Sequence, residues 1–137
     1  MLKVVIFISG RGSNMVSLAN ACQDPHFPAR IVLVVSDNPH ADGLKKAQDF
    51  GIPSICVNRK DFPEKSGFEK ALLEHLDAIE YDCICFAGFM QIVSGDFLER
   101  ISPKPVLNIH PSLLPRYKGL NVHDRVRVEI RPGHGLK

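Results

Sequence analysis

Asn108-Ile109-His110-Pro111-Ser112-Leu113-Leu114-Pro115 sets an amide, an imidazole and a hydroxyl directly after the apolar run of residues 105–107. Asn108 and His110 stand two apart, so on an extended segment their side chains share a face. One could hold a carbonyl oxygen while the other handles a proton. Pro111 and Pro115 stiffen the exit and forbid an ordinary helix there. A strand end followed by a polar turn has the same pattern, and this stretch alone does not separate the two readings.

A second loop adds weight to chemistry. Gly10-Arg11-Gly12-Ser13-Asn14 follows the apolar residues 4–9 and precedes a helical pattern with Met15, Leu18, Ala19 and Cys22 on one side. A strand, a glycine turn and a helix start aim backbone N–H groups at a common point, where a phosphate binds well. Gly10 and Gly12 permit the turn and a close approach, and Ser13 or Asn14 can cap the helix or donate to a phosphate oxygen. No third glycine follows at dinucleotide spacing and no Gly-Lys-Ser/Thr follows as in a P-loop. A turn built for folding alone remains the competing reading.

The elements that must position these residues alternate along the chain. Apolar runs at residues 4–9, 31–36, 53–57, 83–87 and 105–109 suit buried strands of a parallel sheet. Helical patterns fill the intervals at 13–22, 42–50, 67–79 and 95–100, with Gly51 as a C-cap and Ser94 ahead of the last. The expected fold is therefore α/β: an open, mostly parallel, Rossmann-like doubly wound sheet. Right-handed crossovers put the C-terminal end of every parallel strand on one edge, where such sheets bind ligands. Residues 10–14, 88–93 and 108–115 each follow a strand, so all three converge there.

With Ala87-Gly88-Phe89-Met90 after a later strand, the glycine loop and the Asn108–Pro115 block together resemble phosphoribosylglycinamide formyltransferase, a folate-dependent enzyme of purine synthesis. The resemblance runs from Met1 to about Asp124 or Val126. The Asn-x-His-Pro-Ser-Leu-Leu-Pro block also occurs in methionyl-tRNA formyltransferases and sugar-amine formyltransferases. The Gly-Ser-Asn loop favours the glycinamide enzyme.

The resemblance implies transfer of a formyl group from 10-formyltetrahydrofolate to the amine of phosphoribosylglycinamide. Both are small molecules, and the direct acyl transfer needs no metal. It implies that Gly12, Ser13 and Asn14 hold the phosphate, and that Met90, Gln91, Ile92 and Val93 hold the folate together with Asn108. Asn108 would donate its amide N–H to the formyl oxygen. His110 would act as general acid, its imidazolium favouring the tetrahedral intermediate. Gln91 stands where the family often has arginine. Lys65 falls where some members carry an arginine near the folate, keeping the charge without the bidentate fork.

Each assignment has a plainer counterpart. Phe89, Met90 and Ile92 read equally as core residues of a loop, and Lys65 as a solvated lysine. Ser112 and His123 do not form a hydrolase pair, because no Gly-x-Ser-x-Gly elbow surrounds Ser112. His123 suits a structural or substrate-loop role, and Arg116 and Lys118 a solvated loop.

Composition sets the class. The chain has 137 residues, 45% of them hydrophobic and 23% charged, which suits one globular domain. Residues 1–120 read as the catalytic domain and 121–137 as a divergent tail. No apolar run approaches the ~20 residues of a membrane span, and no signal peptide precedes the first strand, so a cytoplasmic protein without membrane partners is expected. Cys22, Cys56, Cys83 and Cys85 lie in apolar patterns and read as buried small hydrophobes rather than metal ligands. The net charge of +2 resides entirely in the last 17 residues, with four basic and two acidic side chains. That is too small and mixed for a nucleic-acid arm.

The tail departs from the family. Residues 126–131 alternate with period two, as a strand or an exposed extended segment would. The family's later acidic partner of the histidine, its further strands and its closing helix have no match in 121–137. The expectation is a truncated or frame-shifted C-terminus, or else a shortened family member with a rewritten end, and with it an open sheet edge beside residues 106–109, poor stability and weak or absent activity. An inactive remnant that binds phosphate or folate is the alternative. The sequence leaves oligomeric state open.

Overall fold

A computed structural model describes residues 1–111 and 126–131, with side chains as far as Ile109. Strand β1 (Leu2–Ile8) leads into helix α1 (Ser13–Cys22), then β2 (Ala29–Ser36), α2 (Asp42–Asp49) and β3 (Ser54–Cys56). A 3-10 turn (Arg59–Asp61), α3 (Lys65–Asp77), β4 (Cys83–Ala87), α4 (Gly95–Ile101), β5 (Val106–Pro111) and β6 (Val126–Arg131) complete the order. The strands form one sheet in the order β3-β2-β1-β4-β5-β6. β1 pairs parallel with both β2 and β4, so the chain reverses its winding between them. In open α/β sheets a ligand crevice forms at the C-terminal ends of such a pair.

The alternation of β1 explains the layering. Val5 and Phe7 face Phe68, Leu72 and Leu76 of α3 and Phe97 and Ile101 of α4. Val4, Ile6 and Ile8 face Met15 and Ala19 of α1 and Ala47 of α2. Successive strand residues point to opposite faces, and helices cover both, so the strand must be apolar throughout.

Most expected boundaries hold, and the departures have local causes. α1 spans the expected residues 13–22. Gly51 ends α2 at φ 75, with Gly51 N–H bonding Gln48 C=O and Ile52 N–H bonding Ala47 C=O. α3 starts two residues earlier than expected, at Lys65, just after Pro63 and with Phe62 packed on Phe68 at 6.1 Å. β3 shrinks to three residues because it is the edge strand. This also corrects the reading of Cys56, which is exposed on that edge, while Cys83 and Cys85 are buried in β4.

The expected open edge beside β5 is occupied. β6 pairs antiparallel with β5, Asn108 opposite Glu129 and His110 opposite Arg127. The alternation of residues 126–131 is thus that of a strand. Its apolar positions Val126, Val128 and Ile130 stand in register with Pro111, Ile109 and Leu107. Leu107 and Ile109 themselves pack with the α1–α2 layer.

Candidate active site

The first loop is shaped by glycine. Gly12 takes a left-handed φ of 71 and serves as the N-cap of α1, with no side chain capping the helix. Neither Ser13 nor Asn14 fills the capping role considered for them, because the cap falls one residue earlier. Both lie in the first turn, Ser13 exposed and Asn14 half-buried. The N–H groups of that turn have no intrahelical partner and point along the helix axis toward the sheet edge.

The second loop leaves β4 through Gly88 at φ 79. Phe89 packs edge-on against Phe7 at 5.2 Å and stacks on Phe86 at 5.8 Å, so it lies half-buried against the core. Met90 and Ile92 do not: they are 77% and 81% exposed. Two long-range hydrogen bonds hold this loop over the crevice. Met90 N–H donates to Ser9 Oγ at 2.7 Å, and Gln91 Nε2 donates to Asp37 Oδ2 at 2.6 Å. At the far end, the buried carboxylate of Glu69 receives both the N–H and the hydroxyl of Ser94, which in turn caps α4 through Phe97 N–H.

A cavity of about 330 Å³ opens under that loop, lined among others by Phe86, Phe89, Gln91, Ile92, Val93 and Asn108. Its walls are aromatic and aliphatic, with two amides as polar groups, which suits a flat, mostly apolar ligand carrying a few hydrogen-bonding atoms. Asn108 is half-buried and pairs in the sheet with Phe86. His110 follows two residues later on the same strand, placed by its backbone. Of the residues expected to hold a folate, Gln91, Ile92, Val93 and Asn108 are brought to this cavity, while Met90 is anchored beside it by its backbone. Lys65 does not line the cavity; it is the exposed first residue of α3. Ser112, Arg116, Lys118, His123 and Asp124 lie outside the described residues.

Asp37, Ser9 and Glu69 were not singled out from the sequence. Their roles depend on partners at separations of 54, 81 and 25 residues. A signal existed for Asp37 alone: an acid at the end of an apolar strand is costly to bury without a partner. Loss of hydration raises each of the four thiols, Cys85 to about 12, and at Cys56 the charges of Asp37 and Asp61 add to it.

Residues 2–135 match the family described as formyl transferase. The chain belongs to that family. It is 38% identical over 125 residues to phosphoribosylglycinamide formyltransferase of Haemophilus influenzae, covering 91% of this chain and 58% of that one. It is 42% identical over 124 residues to the trifunctional purine biosynthetic protein adenosine-3 of Bos taurus, covering 90% of this chain and 12% of the relative. The fold of phosphoribosylglycinamide formyltransferase from Brucella melitensis superposes with a TM-score of 0.79 at 45% identity, covering 96% of this chain and 72% of that one. The chain thus spans little more than half the length of the Haemophilus relative and a small part of the trifunctional one. Among the described residues no helix is long and apolar enough to cross a membrane.

Proposed function

We propose that this formyltransferase chain moves a formyl group from 10-formyltetrahydrofolate to the primary amine of 5-phosphoribosylglycinamide. The observation that carries this reading is the gathering at one sheet edge of the glycine loop, the loop at residues 88–93 and Asn108. Each has its own task. The first-turn N–H groups behind Gly12, with Ser13 and Asn14, take the phosphate. Gln91, Ile92 and Val93, with Met90 at the rim, hold the folate's flat ring system over Phe86 and Phe89.

The chemistry then needs little machinery. The substrate amine attacks the formyl carbon, and the carbonyl π pair moves onto oxygen. The Asn108 amide N–H steadies that oxygen. Collapse of the tetrahedral intermediate breaks the bond from the formyl carbon to the folate nitrogen. The departing nitrogen takes a proton, and the attacking nitrogen loses one. His110, two residues beyond Asn108, manages these protons. Holding both substrates on one rigid edge supplies the proximity that a two-substrate transfer requires.

The test is a transfer assay on the chain as it stands, beside a chimaera carrying the remaining C-terminal length of the Haemophilus relative. Formylated phosphoribosylglycinamide should form in a folate-dependent manner, and Asn108→Ala should slow its formation. Equal product formation with and without the folate donor would overturn the reading.

A further inference from the structure

The second helix, α2, touches the glycine loop at three points and was not part of any expected site. Gly43 N–H donates to Gly10 C=O at 3.0 Å. Lys46 Nζ donates to Arg11 C=O at 3.0 Å. Gly43 Cα itself lies against Gly12: a Cβ built on Gly12 would stand 2.9 Å from it. In the other direction, a Cβ on Gly43 would meet Gly10 O and Gly12 Cα, each at 3.2 Å, and the tip of Ile8 at 2.4 Å. Gly43 is buried, as is Ala47 one turn on, so α2 is firmly seated on the sheet.

These contacts dictate where the loop's amides point. A trans, planar peptide sets each N–H antiparallel to the C=O of the preceding residue. Gly10 C=O turned toward α2 therefore sends Arg11 N–H away from α2. Arg11 C=O turned toward Lys46 sends Gly12 N–H the same way. Gly12 C=O accepts from Val16 N–H at 2.8 Å inside α1, which directs Ser13 N–H out of the helix end. α2 follows β2, and β2 and β4 flank β1 on opposite sides. Away from α2 is thus toward β4 and β5, where Asn108 and the loop at 88–93 stand. Concave runs of consecutive N–H groups of this kind bind anions.

We propose that Gly43 and Lys46 are positioning residues of the substrate site: α2 holds two carbonyls of the glycine loop so that three consecutive N–H groups face the phosphate of the ribosyl substrate. The inference rests on the phosphate role given to that loop above. Lys46 acts as a hydrogen-bond donor to the backbone and not as a charge that meets the phosphate. Gly43 acts by having no side chain.

The experiment uses inorganic phosphate and ribose 5-phosphate as probes, with affinity measured by calorimetry on the whole chain and loop amides followed by ¹⁵N NMR. In the wild type, the amides of Arg11, Gly12 and Ser13 should shift on titration. Gly43→Ala should weaken both ligands about fivefold or more, about the value of a lost hydrogen bond or two. Lys46→Met should weaken them similarly, with the thermal midpoint nearly unchanged, and the ratio to wild type should persist at high salt. Lys46→Arg, which can still donate, should restore most of the affinity. Should Gly43→Ala fail to fold, the two Lys46 variants carry the test. A Lys46→Met defect that vanishes in salt would make Lys46 a screened charge and overturn its role. Variants that all bind within twofold of a binding wild type would overturn the positioning role alone. A wild type that binds neither ligand would overturn the phosphate loop and this inference together.

Discussion

Gln91 Nε2 donates to Asp37 Oδ2 across 2.6 Å, joining the loop after β4 to the end of β2. Asp37 is 7% exposed, and its other oxygen, Oδ1, has no partner among the described residues. The Gln91 amide is thus the side-chain partner of a buried carboxylate, and the loop that covers the cavity is tied to it.

Removing either half of that tie should free the loop. Gln91→Ala is expected to weaken binding of reduced folate about tenfold while leaving phosphate binding unchanged. It should also cost about 1–3 kcal/mol of stability, because a buried carboxylate is left unpaired. Folate binding followed by fluorescence, together with a urea melt, checks both. Unchanged folate affinity would separate the tie from the site.

Gly12 is held by two constraints at once. Its φ is 71, and an added Cβ would sit 2.9 Å from Gly43 Cα. Gly12→Ala should therefore lower stability by about 1–2 kcal/mol or more. It should also weaken phosphate binding. Gly88→Ala shares the positive φ without a close neighbour, so its cost should be smaller and should leave phosphate affinity intact. Paired denaturation curves for the two variants make the comparison.

Much of this was legible from the chain, and the parts that were not have a common cause. The bounds of α1, the strand at Cys83–Ala87 and the convergence of three loops follow from local apolar periodicity and from the handedness of crossovers. Cys56 was misjudged because exposure at an edge strand depends on what packs beside it, which pattern alone does not give. Ser9, Asp37, Gly43, Lys46 and Glu69 matter through partners far away in sequence. A glycine in the first turn of a helix, as at 43, was the one local sign of a close approach.

Glu69 anchors the other end of the loop that follows β4. Its two oxygens receive Ser94 N–H at 2.7 Å and Ser94 Oγ at 2.5 Å in a buried setting. Glu69→Ala should destabilise the fold by about 2–4 kcal/mol, since it orphans both donors and leaves a void. Ser94→Ala should cost less, about 1–2 kcal/mol, chiefly as a lost cap. Thermal unfolding of both variants and the double variant should show strong non-additivity.

The alkaline limb of stability should report Cys85. Burial raises its thiol from 9.0 to about 12, so the folded state resists ionisation that the unfolded state accepts. Its contribution is fully present below pH 9 and is lost as pH rises from about 9 toward 12, at up to about 1.4 kcal/mol per pH unit. Cys85→Ala should flatten that limb. An unchanged slope would assign the alkaline loss to other groups.

The central claim is the transfer reaction, and the most direct measurement is mass spectrometry of its product. The chimaera carrying the relative's C-terminal length would be mixed with 10-formyltetrahydrofolate labelled in the formyl carbon and with an equimolar choice of phosphoribosylglycinamide, methionyl-tRNA and a sugar amine. The label should appear on phosphoribosylglycinamide, and His110→Ala should slow its appearance by about 10²-fold or more. Label on the tRNA or the sugar amine instead, or an undiminished rate in the His110 variant, would contradict the account.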